Sequence, residues 1–278
     1  MIQVKAFHLD TPAGRRFCLL REPAAGRDCR GVLVHVHAFA EEMNKSRRMV
    51  AQAARAMAED GWGVLQIDLA GCGDSSGDFA DARWNVWVDD VLHAERWAAA
   101  RFGSVPWLWG LRAGALIAVQ AAAARSGRLP LLLWQPVSAG RVHLHQFLRI
   151  AVARDLGHES SARTRTPSLR DRLRGGEALE VAGYRIHPSL ADGLESAQLS
   201  LGRQQARVVA LEVAGQPGAT VSPAIATELS SARSRGVEVD AATIVGAPFW
   251  QTVEIEDVPA LAQGSVAALR ASREAVAS

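Results

Sequence analysis

The stretch Val105-Pro106-Trp107-Leu108-Trp109-Gly110-Leu111-Arg112-Ala113-Gly114-Ala115-Leu116-Ile117-Ala118-Val119 decides the fold. Val105 to Trp109 is an apolar run of strand length, and Ala113 to Arg125 continues as a helical pattern of small and aliphatic residues. Gly110 and Gly114 frame the turn between them, so the chain passes sharply from strand to helix. The same unit recurs on either side: Gly31 to Val36 precedes a helical pattern from Asn44 to Glu59, Gly63 to Leu69 precedes one from Trp84 to Arg101, and Leu129 to Trp134 follows. These strands are apolar almost throughout, which requires burial of both faces and predicts an α/β fold with a mostly parallel, doubly wound sheet. Ile2 to Leu9 and Arg16 to Leu20 read as an antiparallel hairpin entering it. Trp84, Trp87, Val88, Val91, Ala94 and Ala98 recur at helical spacing, which assigns the two tryptophans to the core.

After Trp134 the alternation stops, and it resumes with a strand from Arg207 to Val213, a helix from Pro223 to Arg235 and a last strand from Val237 to Val245. Residues 141–205 are therefore expected to be an inserted lid, with 1–140 and 206–278 as the core. Within the insertion the pattern gives a helix from Leu144 to Arg154, a polar stretch from Gly157 to Arg170, a strand-like run from Leu179 to Ile186 and a helix from Ser189 to Leu201. In open α/β sheets ligands bind at the carboxyl ends of the strands, where a lid leaving from such an end covers them.

Composition narrows the function classes. The chain has 278 residues, 49% hydrophobic and 22% charged, which excludes a disordered, collagenous or disulfide-dense protein. Its net charge is only +2, so no overall field marks a nucleic-acid binder. Only Lys5 and Lys45 of the 31 basic residues are lysine, an imbalance that codon usage in a GC-rich genome explains for most of the arginines. Cys18, Cys29 and Cys72 are odd in number and lack metal-ligand spacing, so neither a disulfide framework nor a metal is expected. Without a cleavable leader pattern or an apolar run of 18 residues, the expectation is a cytoplasmic protein with no membrane insertion and no cofactor.

Gly110-Leu111-Arg112-Ala113-Gly114 matches the spacing of the nucleophile elbow Gly-x-Ser-x-Gly, which presents its central side chain above a helix N-terminus. The central residue here is arginine, a permanent cation that cannot serve as an acyl nucleophile. Together with Phe39-Ala40-Glu41-Glu42-Met43-Asn44-Lys45-Ser46-Arg47-Arg48-Met49, Asp68-Leu69-Ala70-Gly71-Cys72-Gly73-Asp74-Ser75, Trp134-Gln135-Pro136-Val137 and Pro248-Phe249-Trp250-Gln251-Thr252-Val253-Glu254, this segment makes the chain resemble the α/β-hydrolase superfamily. In detail it resembles the exosortase A system-associated hydrolase type 2 family. The resemblance implies an α/β-hydrolase fold and a hydrolase acting on an ester, thioester or similar acyl substrate in exopolysaccharide or protein-sorting metabolism.

A serine triad would add an acid after the strand ending at Val213 and a histidine after the last strand. Val213-Ala214-Gly215-Gln216-Pro217-Gly218-Ala219-Thr220 carries no carboxylate, Glu212 falls within the strand by its alternation, and no histidine follows His187. Two functions remain. Either water is activated without a triad, by His37 and Asp68 at neighbouring strand ends, or the chain is a pseudoenzyme that binds an anionic ligand or protein partner through Arg112 and the lid. Ala38, Phe39, Leu111 and Trp250 are the expected ligand contacts around Arg112. The competing structural readings pair Arg112 with Glu212 or Glu254, pack His37 at the strand edge, and give Asp68 the task of holding the loop from Gly71 to Ser75 by backbone hydrogen bonds. Arg141 to Arg174 contains eight arginines and three acids, either a basic lid or a solvated surface. Asn44 is the expected helix cap, the charges around it facing solvent or lining the lid, and Cys72 is a small buried residue or a thiol nucleophile.

Overall fold

The chain enters through the antiparallel hairpin of β1 (Val4–Thr11) and β2 (Gly14–Arg21), and β2 lays its second half antiparallel against the sheet. The computed structural model describes residues 2–155 and 168–277. Three strand and helix units and a further strand follow: β3 (Gly31–Val36) with α1 (Glu41–Glu59), β4 (Trp62–Ile67) with α2 (Trp84–Phe102), β5 (Trp107–Leu111) with α3 (Gly114–Ala124), and then β6 (Leu129–Trp134). From β6 the chain runs through α4 (Gly140–Asp155), α5 (Leu169–Arg174), a small hairpin of β7 (Leu179–Val181) and β8 (Tyr184–Ile186), and α6 (Pro188–Ser196). It returns as β9 (Gln205–Ala214), α7 (Pro223–Ser234), β10 (Glu238–Val245) and α8 (Pro259–Ala277). The eight-stranded sheet has the order β1-β2-β4-β3-β5-β6-β9-β10, parallel from β4 to β10.

Alternation along each strand divides the core between the two faces. Val32, Val34 and Val36 pack with Trp84, Trp87, Val91 and Leu116 beneath α2 and α3, while Leu33 packs with Met49, Met57, Trp109 and Trp134 beneath α1 and α8. The parallel strands are thus buried on both sides, as their composition requires.

Several boundaries differ from the sequence expectation for local reasons. β5 runs on to Leu111, because Gly110 and Leu111 pair with Leu133 and Trp134 of β6. α1 begins at Glu41 rather than after Asn44, because Ala40 turns the chain with φ of 51° without a capping side chain. Leu179 to Ile186 is a hairpin turning at Ala182 and Gly183, both of positive φ. α8 was not signalled by the motifs, and most of the stretch from Gly157 to Arg170 lies outside the described residues. Among the described residues no helix is long and apolar enough to cross a membrane, and no three His, Cys, Asp or Glu side chains cluster to hold a metal.

Candidate functional site

The turn after β5 builds the floor of the site. A β-carbon on Gly110 would lie 2.6 Å from Ala115 Cα, and one on Gly114 would lie 2.4 Å from the carbonyl oxygens of Val36 and His37. Only glycine lets α3 start this close to β3 and β5. Between them Arg112 adopts φ of 55°, a left-handed conformation that costs a non-glycine residue about 1–3 kcal/mol. Its N–H donates to Trp134 O at 3.0 Å, so the turn is held by β6 and the guanidinium is raised at the carboxyl rim of the sheet.

Three further elements converge on that guanidinium. Arg112 Nε and Nη2 donate to Glu42 Oε1 in the first turn of α1, at 3.2 and 3.1 Å. The guanidinium carbon lies 5.3 Å from the ring centroid of Trp250, in the segment after β10, a cation–π contact. From α4, His143 brings Nε2 to 3.8 Å from Glu42 Oε2, beyond hydrogen-bond distance. Glu42 Oε2 and His143 Nδ1 are both buried without a hydrogen-bond partner. Burial pushes the Glu42 carboxyl above its ordinary range, with Arg112 opposing the shift, and burial with Arg112 nearby pushes the His143 imidazole down to about 3.

These residues share a cavity of about 690 Å³. Phe39, Phe147, Ile150 and Trp250 give it an apolar wall, while Glu41, Glu42, Lys45, Arg112 and His143 form the polar end. Phe39 meets Phe147 and His143 edge-on, with centroids 5.2 and 5.9 Å apart. The hairpin of β7 and β8 is fastened to the same turn of α1: Tyr184 OH donates to Glu41 Oε2 and accepts from Asn44 Nδ2, each at 2.9 Å. Lys45 Nζ donates to Gln251 O at 3.3 Å. The backbone N–H groups of Phe39 and Ala113 have no acceptor among the described residues.

The expected site residues separate into two groups. Phe39, Arg112 and Trp250 meet in the cavity, whereas Ala38 and Leu111 are fully buried and face a smaller cavity of about 190 Å³ beside His35 and His37. His37 and Asp68 form no hydrogen bond. The His37 ring places Nδ1 2.7 Å from Ala38 O and accepts from Leu69 N–H through Nε2 at 3.2 Å, which commits both nitrogens to the backbone and leaves neither for water. Burial holds this imidazole below its ordinary range. Asp68 accepts from Asp74 N–H at 3.1 Å and faces Arg47 Nη2 at 3.6 Å, so it organises the loop.

Arg112 pairs with neither Glu212 nor Glu254. Glu212, inside β9, accepts from Ser222 N–H and Oγ at 2.5 and 2.8 Å, and Glu254 is exposed. Asn44 is not a cap, since α1 starts three residues earlier and its amide serves Tyr184. Cys72 is buried, and burial pushes its thiol well above the ordinary range, which fits the reading as a small buried residue. Three of the eight arginines from Arg141 to Arg174 are paired locally: Arg170 and Arg174 with Glu195, and Arg172 with Glu177. Sequence reasoning placed Glu42 in a charged cluster without its partner and missed His143; the signal for the latter is a buried face recurring at His143, Leu144, Phe147 and Leu148.

Residues 27–155 match the family model of the S33 serine aminopeptidases. The human Protein ABHD12B is 32% identical over 100 residues, which are 36% of this chain and only 26% of that protein. Among solved structures, Est1E from Butyrivibrio proteoclasticus with ferulic acid bound superposes with a TM-score of 0.68 at 16% identity, over 98% of this chain and 100% of that one. A thermostable carboxyl esterase from Bacillus coagulans gives 0.62 at 14% identity over 98% and 99%, and the lidless serine hydrolase XC6422 from Xanthomonas campestris gives 0.56 at 16% identity over 96% and 92%. With this sheet order, this glycine-framed elbow and these neighbours, the chain has the fold of the α/β-hydrolase superfamily.

Proposed function

We propose that this protein binds a small acyl molecule without forming a covalent bond to it, directing a carboxylate or carbonyl of the ligand to Arg112 and its apolar part to Phe39, Phe147 and Trp250. The observation that carries this reading is the occupant of the elbow. Arg112 stands where a nucleophile would be, its Nη1 has no hydrogen bond among the described residues, and it lines a cavity of about 690 Å³ with an apolar wall. Around it the positions for an acid and a histidine hold Gly215-Gln216-Pro217-Gly218 and the segment from Gly246 to Trp250. A guanidinium forks onto a carboxylate but attacks no ester.

The assignment to the exosortase A-associated type 2 group is part of the same proposal. Its support is spatial: Glu42 and Lys45 come from the first of the resembling segments, Arg112 from the elbow and Trp250 from the last, and they meet around one cavity. Free cysteines fit a cytoplasmic setting. A second reading keeps hydrolysis of an ester or thioester by water, favoured by the acceptor-free N–H groups of Phe39 and Ala113 that flank the elbow.

Titration calorimetry with octanoate and ferulate, and p-nitrophenyl octanoate as a possible substrate, separates these readings. The binding reading expects heat with a carboxylate, loss of that heat in Arg112→Met, and ester turnover no faster than buffer. Turnover that Arg112→Met abolishes would establish hydrolysis instead, and absence of carboxylate binding at any pH overturns the proposal.

A further inference from the structure

We propose that an incoming carboxylate replaces Glu42 as the partner of Arg112 and that Glu42 takes up one proton as it is displaced, so that the site admits its ligand as an anion together with a proton. This rests on the binding reading above and adds the event that regulates it.

The geometry shows an incomplete ion pair. Nε and Nη2 of Arg112 converge on a single oxygen, Oε1, while Oε2 is buried with no hydrogen bond. A carboxylate in a water-poor site needs most of its lone pairs satisfied, and this one is half satisfied. The charged and titratable groups around it come from three elements. Lys45 and Glu41 share α1 with it, but Lys45 Nζ donates to Gln251 O and Glu41 holds Tyr184 and Asn44. His143 of α4 is neutral, because burial and Arg112 both disfavour its cation. The negative charge of Glu42 therefore depends chiefly on Arg112 from the elbow, with a smaller attraction from the Lys45 ammonium.

A ligand carboxylate that forks onto Arg112 removes that support and adds a second anion beside Glu42. Two carboxylates sharing one partly buried site cannot both remain ionised. An O–H bond then forms on Oε2, the proton coming from the buffer acid, and no other covalent bond changes. The new O–H has an acceptor within reach, since the neutral His143 ring presents Nε2 at 3.8 Å and a shift of about 1 Å completes the hydrogen bond. His143 accordingly acts as an acceptor that positions the protonated carboxyl.

Octanoate is titrated calorimetrically at pH 6, 7 and 8, in phosphate and in Tris, whose ionisation enthalpies differ. The expected result is uptake of about one proton per octanoate and an affinity falling about tenfold per pH unit. Glu42→Gln should bind with no proton uptake and no pH dependence, and more tightly than the wild type at pH 8, because the internal competitor is gone. His143→Asn should retain the uptake. Proton-neutral binding by the wild type, uptake that persists in Glu42→Gln, or uptake lost in His143→Asn each overturns the inference while leaving the binding reading intact. No octanoate binding by the wild type at pH 6 or by Glu42→Gln overturns the binding reading itself. Should Glu42→Gln not fold, the two-buffer comparison on the wild type decides alone.

Discussion

Two polar clusters stand on the carboxyl rim of the sheet, one around Asp68 and one around Arg112, and they differ in how completely their atoms are paired. In the first, His37 engages Ala38 and Leu69, Ser75 Oγ accepts from Phe17 N–H and donates to Asp68 O at 2.9 and 2.5 Å, and Asp90 accepts from Ala70 N–H at 2.9 Å. Beneath it the Arg16 and Asp90 ion pair closes at 2.7 Å with both side chains out of solvent. In the second, Glu42 Oε2 and His143 Nδ1 are buried and bare and face a cavity of about 690 Å³, whereas beside the first a single bare atom, His35 Nδ1, lies at a cavity of about 190 Å³. Backbone bonds turn titratable side chains into scaffold, whereas an unpaired polar group that lines a cavity is open to a ligand or water. Residue type alone pointed to His37 and Asp68; pairing points to Glu42, Arg112 and His143.

The sharpest way to break the frame that both clusters share is Gly114→Ala. The added methyl meets two backbone carbonyl oxygens at 2.4 Å, which no rotamer change can relieve. Urea unfolding should show a loss of about 3 kcal/mol, or no folded protein at all. Next, Ser75→Ala leaves Phe17 N–H and Asp68 O without their partner, for an expected loss of about 2 kcal/mol. If the first cluster is scaffold, octanoate binding should survive this change unaltered; weakened binding would show that the two clusters act as one.

Arg112→Met strands the Glu42 carboxylate. Because both partners retain some exposure, 14% and 19% for the side chains, the expected loss is about 1–2 kcal/mol, below that of a fully buried pair. Adding Glu42→Gln should restore most of it, and a double-mutant cycle without coupling would deny that the pair matters to stability.

These contrasts also mark how far the sequence can be read. The sheet is legible because each parallel strand is apolar on both faces, and the elbow because two glycines stand at fixed spacing in contact with backbone. The start of α1 is not, since Ala40 turns the chain through a positive φ that no capping side chain announces. Arg112 was offered two acids near the strand ends; one of them, Glu212, fastens Ser222 before α7 and the other is exposed, while the actual partner comes from the opposite side of the elbow. Glu42 and His143 are about a hundred residues apart, on α1 and on α4. Only the packing of α4 over the rim brings them together. Part of the arginine excess between β6 and β9 has local partners for a simpler reason, that the acids paired with Arg170, Arg172 and Arg174, Glu177 and Glu195, lie just beyond the arginine run.

The pH dependence of stability tests the burial of His143 next. A histidine whose folded pKa is depressed is neutral in the fold and binds a proton when unfolded, so its contribution is complete above pH 6.5 and is lost as pH falls toward 3. For His143 this amounts to about 1 kcal/mol between pH 6.5 and 5.5. Denaturant titrations at these two values should show His143→Gln losing less stability over the interval than the wild type by about that amount. An unchanged difference would mean that the ring titrates normally and that α4 does not bury it.

The smallest expected effect concerns the fastening of the insertion. Tyr184→Phe removes the hydroxyl that joins the hairpin to Glu41 and Asn44 but keeps the ring against Phe79, whose centroid lies 5.0 Å away. Those hydrogen bonds lie near solvent, so global stability should fall by only about 0.5 kcal/mol. The consequence should instead be local, because the hairpin packs on α4 through β7 and is fastened to the turn of α1 that carries Glu42. Amide hydrogen exchange should quicken in β8 and in α4 near His143 while the loop from Gly71 to Ser75 keeps its protection. Exchange that quickens equally in both places would show the two clusters to be one cooperative unit, and the contrast between a sealed scaffold and an open pocket would then rest on geometry without a counterpart in motion.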